Sequence, residues 1–142
     1  MRISWNCKYC IGIDEIDKQH EGFMDMLNHA YDAYSGSLTK IVDDDDRRRQ
    51  VYLDVLKLRE YALNHFSTEE KYMIKHKYPK FFDHKREHDN FIKTVFDMED
   101  KLLNTNEMSL TDLLDFVSDW YKNHISVVDK QLGAFLKAAH VK

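Results

Sequence analysis

The 142-residue sequence is poor in the residues that make tight turns or cross-links: it has 4 glycines, 1 proline and 2 cysteines. That scarcity argues against an all-β sandwich, which needs frequent turn signals, and against a disulfide scaffold. Long apolar runs are missing as well, so no membrane insertion is expected. The first ten residues carry one arginine and no apolar stretch, which reads as neither a secretory signal nor an anchor, and a cytoplasmic location is the default. An excess of positive charge is also absent. The 21 Lys and Arg against 25 Asp and Glu leave a net charge of −4, a poor match for nucleic acid.

What is present is a core and an excess of one residue type. Hydrophobic residues make up 43% and aromatics 13%, enough to exclude a disordered chain. Histidine occurs 8 times, more than one residue in twenty.

Four segments carry apolar residues at three- and four-residue intervals, roughly 16–35, 44–75, 81–103 and 110–132, the last with an extension through 134–139. Ile16, Phe23, Met24, Leu27, Ala30, Tyr31 and Tyr34 mark the first, which Ser35-Gly36-Ser37 ends. The second opens in the acidic run Asp43 to Asp46, followed by Arg47 to Arg49, a charge pattern that suits a solvated helix start better than a recognition patch. It continues through Val51, Val55, Leu58, Ala62 and Phe66 to about Lys75, ahead of Pro79. Phe91, Val95, Met98 and Leu102 line the third, closed by Asn104-Thr105-Asn106. Ser109 and Asp112 resemble a capping box that opens the fourth, with Leu110, Leu113, Leu114 and Val117 behind it. Short connections make neighbours antiparallel, so the expected fold is all-α. It is an up-down four-helix bundle with an N-terminal loop, a single domain over residues 1–142.

The histidines are placed within this pattern. His65 and Glu69 are four apart, about 40° on one helix face, and His84 and His88 repeat the spacing as a pair able to hold one metal ion from one helix. His124 and Asp129 are five apart, which a regular helix separates by about 140°; Asp129 still contributes if a local bulge turns it inward or if it reaches between helices toward the bundle centre. His20 adds a ligand from the first helix, and antiparallel packing brings the levels together. Five histidines and two carboxylates over four helices point to a buried metal site. His29, His76 and His140 lie off this pattern and read as surface groups. Cys7 and Cys10 form a lone C-x-x-C, read as two reduced thiols in the entry loop.

The set resembles the hemerythrins, particularly the bacterial single-domain ones. The likeness rests on His20 in Ile16-Asp17-Lys18-Gln19-His20, His65 to Glu69, His84 to His88 and His124 to Asp129. Trp5, Ile11-Gly12-Ile13, His65-Phe66, Glu69-Glu70, Tyr78-Pro79 and Trp120 to Ile125 extend it over nearly the whole chain. The resemblance implies two iron ions, with His84, His88 and His124 on one, His20 and His65 on the other, and Glu69, Asp129 and an oxo or hydroxo group bridging. The second iron then has one open position, where dioxygen is bound reversibly.

Helical spacing nominates Phe23, Met24, Trp120, Tyr121 and Ile125 as the lining of a dioxygen pocket. Tyr121 departs from the family, which usually has an aliphatic residue there; an inward hydroxyl would hydrogen-bond to bound ligand or admit a proton. The leading expectation is oxygen storage, transport or delivery without catalysis. The alternatives are a sensing module and a di-iron enzyme acting on peroxide or nitric oxide, or serving iron repair. The absence of a second domain and of a proton relay beyond Tyr121 and the peripheral pair Cys7 and Cys10 weighs against these.

Overall fold

The computed structural model describes residues 4–36, 44–104 and 109–142. The expected turn at Ser37, the side chains from Asp43 to Arg48, the apolar positions Tyr34 and Val51, and the helix stop at Thr105 and Asn106 lie outside the described residues. Among the described residues, five α-helices follow a 3-10 turn at Cys7–Tyr9: α1 (Asp14–Gly36), α2 (Asp44–Lys75), α3 (Phe81–Asn104), α4 (Leu110–Asn123) and α5 (Lys130–Ala138). A π-helical turn, His124–Asp129, joins α4 to α5 without leaving helical backbone, so the two form the fourth rod of an all-α four-helix bundle. No helix among the described residues is long and apolar enough to cross a membrane.

Cross-helix bonds fix the directions. Glu15 meets Tyr72 at 2.8 Å and Gln19 meets Thr68 at 3.0 Å, so α1 and α2 run antiparallel. Arg59 bonds Glu99 at 2.7 Å and Glu70 bonds His88 at 3.0 Å, which makes α2 and α3 antiparallel in turn. Tyr31 reaches Asp115 at 2.6 Å while His20 reaches Asp129, closing the ring between α1 and the fourth rod.

Local chemistry sets the helix ends. At the start of α4 the Ser109 hydroxyl accepts the Asp112 N–H at 3.1 Å and the Asp112 carboxylate accepts the Ser109 N–H at 3.2 Å, the reciprocal capping box the sequence suggests. At the end of α2, the Tyr78 N–H returns to the Met73 carbonyl and the Lys77 N–H to Ile74, with Lys77 at a φ of 56°. This left-handed stop usually takes glycine, and Pro79 follows it as expected of a residue that cannot extend the helix.

Most apolar positions read from the sequence form the core: Ile16, Phe23, Met24, Leu27, Ala30, Tyr31, Val55, Leu58, Ala62, Phe66, Phe91, Val95, Leu113, Leu114, Val117 and Leu132 are buried, while Met98, Leu102 and Leu110 are partly buried at its edge. The entry segment contributes more than a loop. Tyr9, Ile11 and Ile13 are buried, and the Asp17 carboxylate accepts the N–H groups of Ile11 and Gly12 at 2.8 and 3.1 Å. Gly12 has a φ of 89°, a turn that favours glycine. Beyond it, the Lys130 ammonium donates to the Cys10 carbonyl at 2.7 Å, and Ile11 sits directly on Gly133. The entry segment is thereby strapped across the fourth rod beside the π turn.

Candidate metal centre

All seven side chains singled out in the sequence are buried, and the bundle brings them to one level. α1 supplies His20, α2 supplies His65 and Glu69, α3 supplies His84 and His88, and the π turn supplies His124 and Asp129. That turn resolves the awkward five-residue spacing. The Lys130 N–H bonds back to the Ile125 carbonyl, five residues earlier, so one extra residue is accommodated and both ends of the segment face inward.

The seven divide into two donor sets that share both carboxylates. Glu69, His84, His88, His124 and Asp129 place one ligand atom each within 4.8 Å of one another, and His20, His65, Glu69 and Asp129 do the same. Asp129 spans the sets. One of its oxygens lies 2.9 Å from His20, and the other lies 3.1 Å from both His84 and His124. Glu69 shares one oxygen between His65 at 3.1 Å and His88 at 3.2 Å, with its other oxygen 3.8 Å from His84.

At such separations an ordinary network would be hydrogen-bonded. Instead the Nε2 atoms of all five histidines and all four carboxylate oxygens lack a hydrogen bond of sound geometry. Their lone pairs do not point at one another, which is the arrangement expected where cations complete the site. Nitrogen and oxygen donors without thiolate suit iron better than a structural zinc site.

Charge is arranged accordingly. Burial works against ionising the carboxylates, and at Glu69 the nearby Asp129 adds to it, but His65 and His88 prevail and hold Glu69 at about 2. Burial is likewise overcome at Asp129, which His124, His20 and His84 keep well below the usual carboxylate range. At His65 burial wins and lowers the ring's affinity for protons, whereas at His88 burial yields to Glu69 and Glu70, which raise it to about 9. Protons and imidazoles thus balance two buried negative charges that metal ions can neutralise in their place.

Residues 11–136 match the family described as the Hemerythrin HHE cation binding domain. The chain belongs to the hemerythrin family. A bacteriohemerythrin of Clostridium acetobutylicum is 34% identical over 128 residues, covering 89% of this chain and 95% of the relative. One of Methylococcus capsulatus is 34% identical over 86% of each chain. A solved structure of wild-type hemerythrin superposes with a TM-score of 0.79 at 30% identity, over 94% of this chain and 97% of the other. Membership in the hemerythrin family implies bound iron, in agreement with the donors present.

Within this hemerythrin fold the outer nitrogens of two ligand-type histidines are held by residues that sequence reasoning did not single out. The Nδ1 of His65 is 2.7 Å from the Gln19 side-chain oxygen, whose amide nitrogen in turn donates to Thr68. The Nδ1 of His88 is 3.0 Å from Glu70, which faces Lys85 at 3.9 Å. Both partners are sequence neighbours of candidate ligands, but which histidine each reaches depends on helix rotation.

The aromatic residues sort by side. Trp120 stacks on His124 at 4.4 Å and 13°, and Phe66, not singled out as a pocket residue, stacks on His88 at 3.9 Å and 10°. Both cover the five-donor set. Tyr121 and Phe23 pack together at 4.3 Å, with Tyr121 edge-on to His20 at 5.6 Å and 6.1 Å from His65. This pair covers the four-donor set. Met24 and Ile125 are fully buried, while Trp120 remains partly exposed. His29 and His140 are exposed and His76 is half-buried on Tyr72, all outside the two donor sets. Cys7 and Cys10 are free thiols.

Proposed function

We propose that this chain binds dioxygen reversibly at a pair of iron ions, for storage, transport or delivery. In this reading His84, His88 and His124 hold one ion and His20 and His65 the other. Glu69 and Asp129 would serve both ions. The observation that carries it is the sharing of both carboxylates between two donor sets that differ by one histidine. The smaller set keeps a position free for a small ligand. When bound, the iron pair would supply the two electrons that reduce dioxygen on uptake and would recover them on release.

The protein's own part is to hold and to exclude. Glu69 and Asp129, kept ionised by their imidazole neighbours, offer both oxygens with no proton to lose first. Gln19 and Glu70 orient His65 and His88 through their outer nitrogens. Phe23, Met24, Tyr121 and Ile125, each at most 1% exposed, keep bulk water from the four-donor side, and Trp120 shields His124. Exclusion of water and stray protons favours carrying over oxidation.

The test is to load the protein with iron, reduce it without air, admit dioxygen and follow the visible charge-transfer bands through degassing. Bands that appear and reverse over repeated cycles support the proposal. Decay to the oxidised state with turnover of peroxide or nitric oxide would replace it with an enzymatic function.

A further inference from the structure

The four-donor side contains a polar group that the donor sets do not use. The Tyr121 hydroxyl is fully buried and has no hydrogen-bond partner. Other tyrosines of the bundle are satisfied: Tyr31 donates to Asp115, Tyr61 to the Gln19 carbonyl and Tyr72 to Glu15. Tyr121 is held among Phe23, His20 and His65. Leaving a buried donor unpaired is unfavourable, and phenylalanine would fill the same space without that penalty. The ring is therefore explained by packing, but the hydroxyl is not.

We propose that the Tyr121 hydroxyl is a hydrogen-bond donor to a small anionic ligand bound on the His20–His65 side of the metal pair. This rests on the reading that the pair binds there with one position open. The direction of the bond follows from the ligand. An anion such as azide brings acceptor atoms and no hydrogen, so the hydroxyl offers its own, and it selects ligands with an acceptor atom facing α4. Such a donor slows ligand loss and separates acceptor ligands from apolar molecules of the same size, which Phe23 and the ring itself admit equally.

The probe is azide, added to the iron-loaded, oxidised full chain and titrated by its visible absorption, in the wild type and in Tyr121→Phe and Tyr121→Leu. A hydrogen bond to a charged ligand predicts roughly tenfold or greater weakening of azide binding in both variants. The infrared stretch of bound azide should shift in deuterium oxide for the wild type and stay fixed in Tyr121→Phe. In the metal-free protein Tyr121→Phe should melt at the same or a higher temperature, because no bond is lost; a clear drop would show that the hydroxyl serves structure and would overturn the proposal. Equal azide affinities with no isotope-sensitive band would also overturn it while leaving the paired-metal reading intact. Failure of the wild type to take up iron would instead remove that reading, and the role of the hydroxyl with it.

Discussion

Asp129 lies 2.9 Å from His20 across the bundle, and it does so only because the turn that carries it is π-helical. Its other oxygen serves His84 and His124, so one carboxylate connects three of the four rods. Replacing it should uncouple the two donor sets. Asp129→Ala is expected to lower bound iron from two ions per chain to one or none. The helical circular dichroism signal should remain, because the apolar core that joins the rods is untouched. Metal analysis after desalting measures the first and a thermal melt the second.

The orienting contacts predict a graded effect. Gln19→Ala and Glu70→Gln each leave all seven donors in place but loosen one imidazole, at His65 and His88 respectively. Each should weaken iron retention about 10- to 100-fold. Lys85→Ala, which removes an exposed ammonium 3.9 Å from Glu70 and 3.1 Å from Asp89, should change it little. Competition with a chelator distinguishes the three.

The four helices and the inward level of the histidines were legible because both follow from spacing along one helix. His65 with Glu69 and His84 with His88 needed only the helical repeat. The five-residue step from His124 to Asp129 did not fit a regular helix; it left a bulge and a reach between helices both open, and the structure has the bulge. Other features depend on what packs across the bundle. The rotation that brings Gln19 to His65 and Glu70 to His88 has no signature in a single helix. Burial of Tyr9, Ile11 and Ile13 depends on the strap lying over the fourth rod, and the stacking of Phe66 on His88 depends on how α2 meets α3. Lys77 at a left-handed helix stop could not be anticipated where glycine is the usual signal.

The strap gives a stability prediction remote from the donors. A Cβ at position 133 would collide with the Ile11 carbonyl oxygen and come within 2.7 Å of the Ile11 Cβ. Neither backbone can yield freely, since Asp17 and Lys130 fix the residues on either side of Ile11. Gly133→Ala should cost about 1–3 kcal/mol in chemical denaturation, despite its better helix propensity. A stabilised variant would show that the strap is not seated there.

The bond from Tyr31 to Asp115 predicts a specific alkaline response. Burial and acceptance by Asp115 raise the Tyr31 phenol above its ordinary value, so the folded protein holds the proton more tightly than the unfolded chain does. Its contribution is fully present below the ordinary tyrosine value of about 10 and is lost as pH rises toward the folded value. The stability difference between the wild type and Tyr31→Phe should therefore be constant from neutrality to about pH 9 and shrink above about pH 10. Denaturant melts across that range measure it, and a difference that grows with pH would contradict the assignment.

The central claim is that seven buried side chains hold two metal ions through two shared carboxylates. A crystal structure of the iron-loaded protein, with anomalous scattering recorded at the iron edge, tests it most directly. Two peaks are predicted, one among His84, His88 and His124 and the other beside His20 and His65, with Glu69 and Asp129 between them. A single peak, or two peaks without both carboxylates in common, would contradict it.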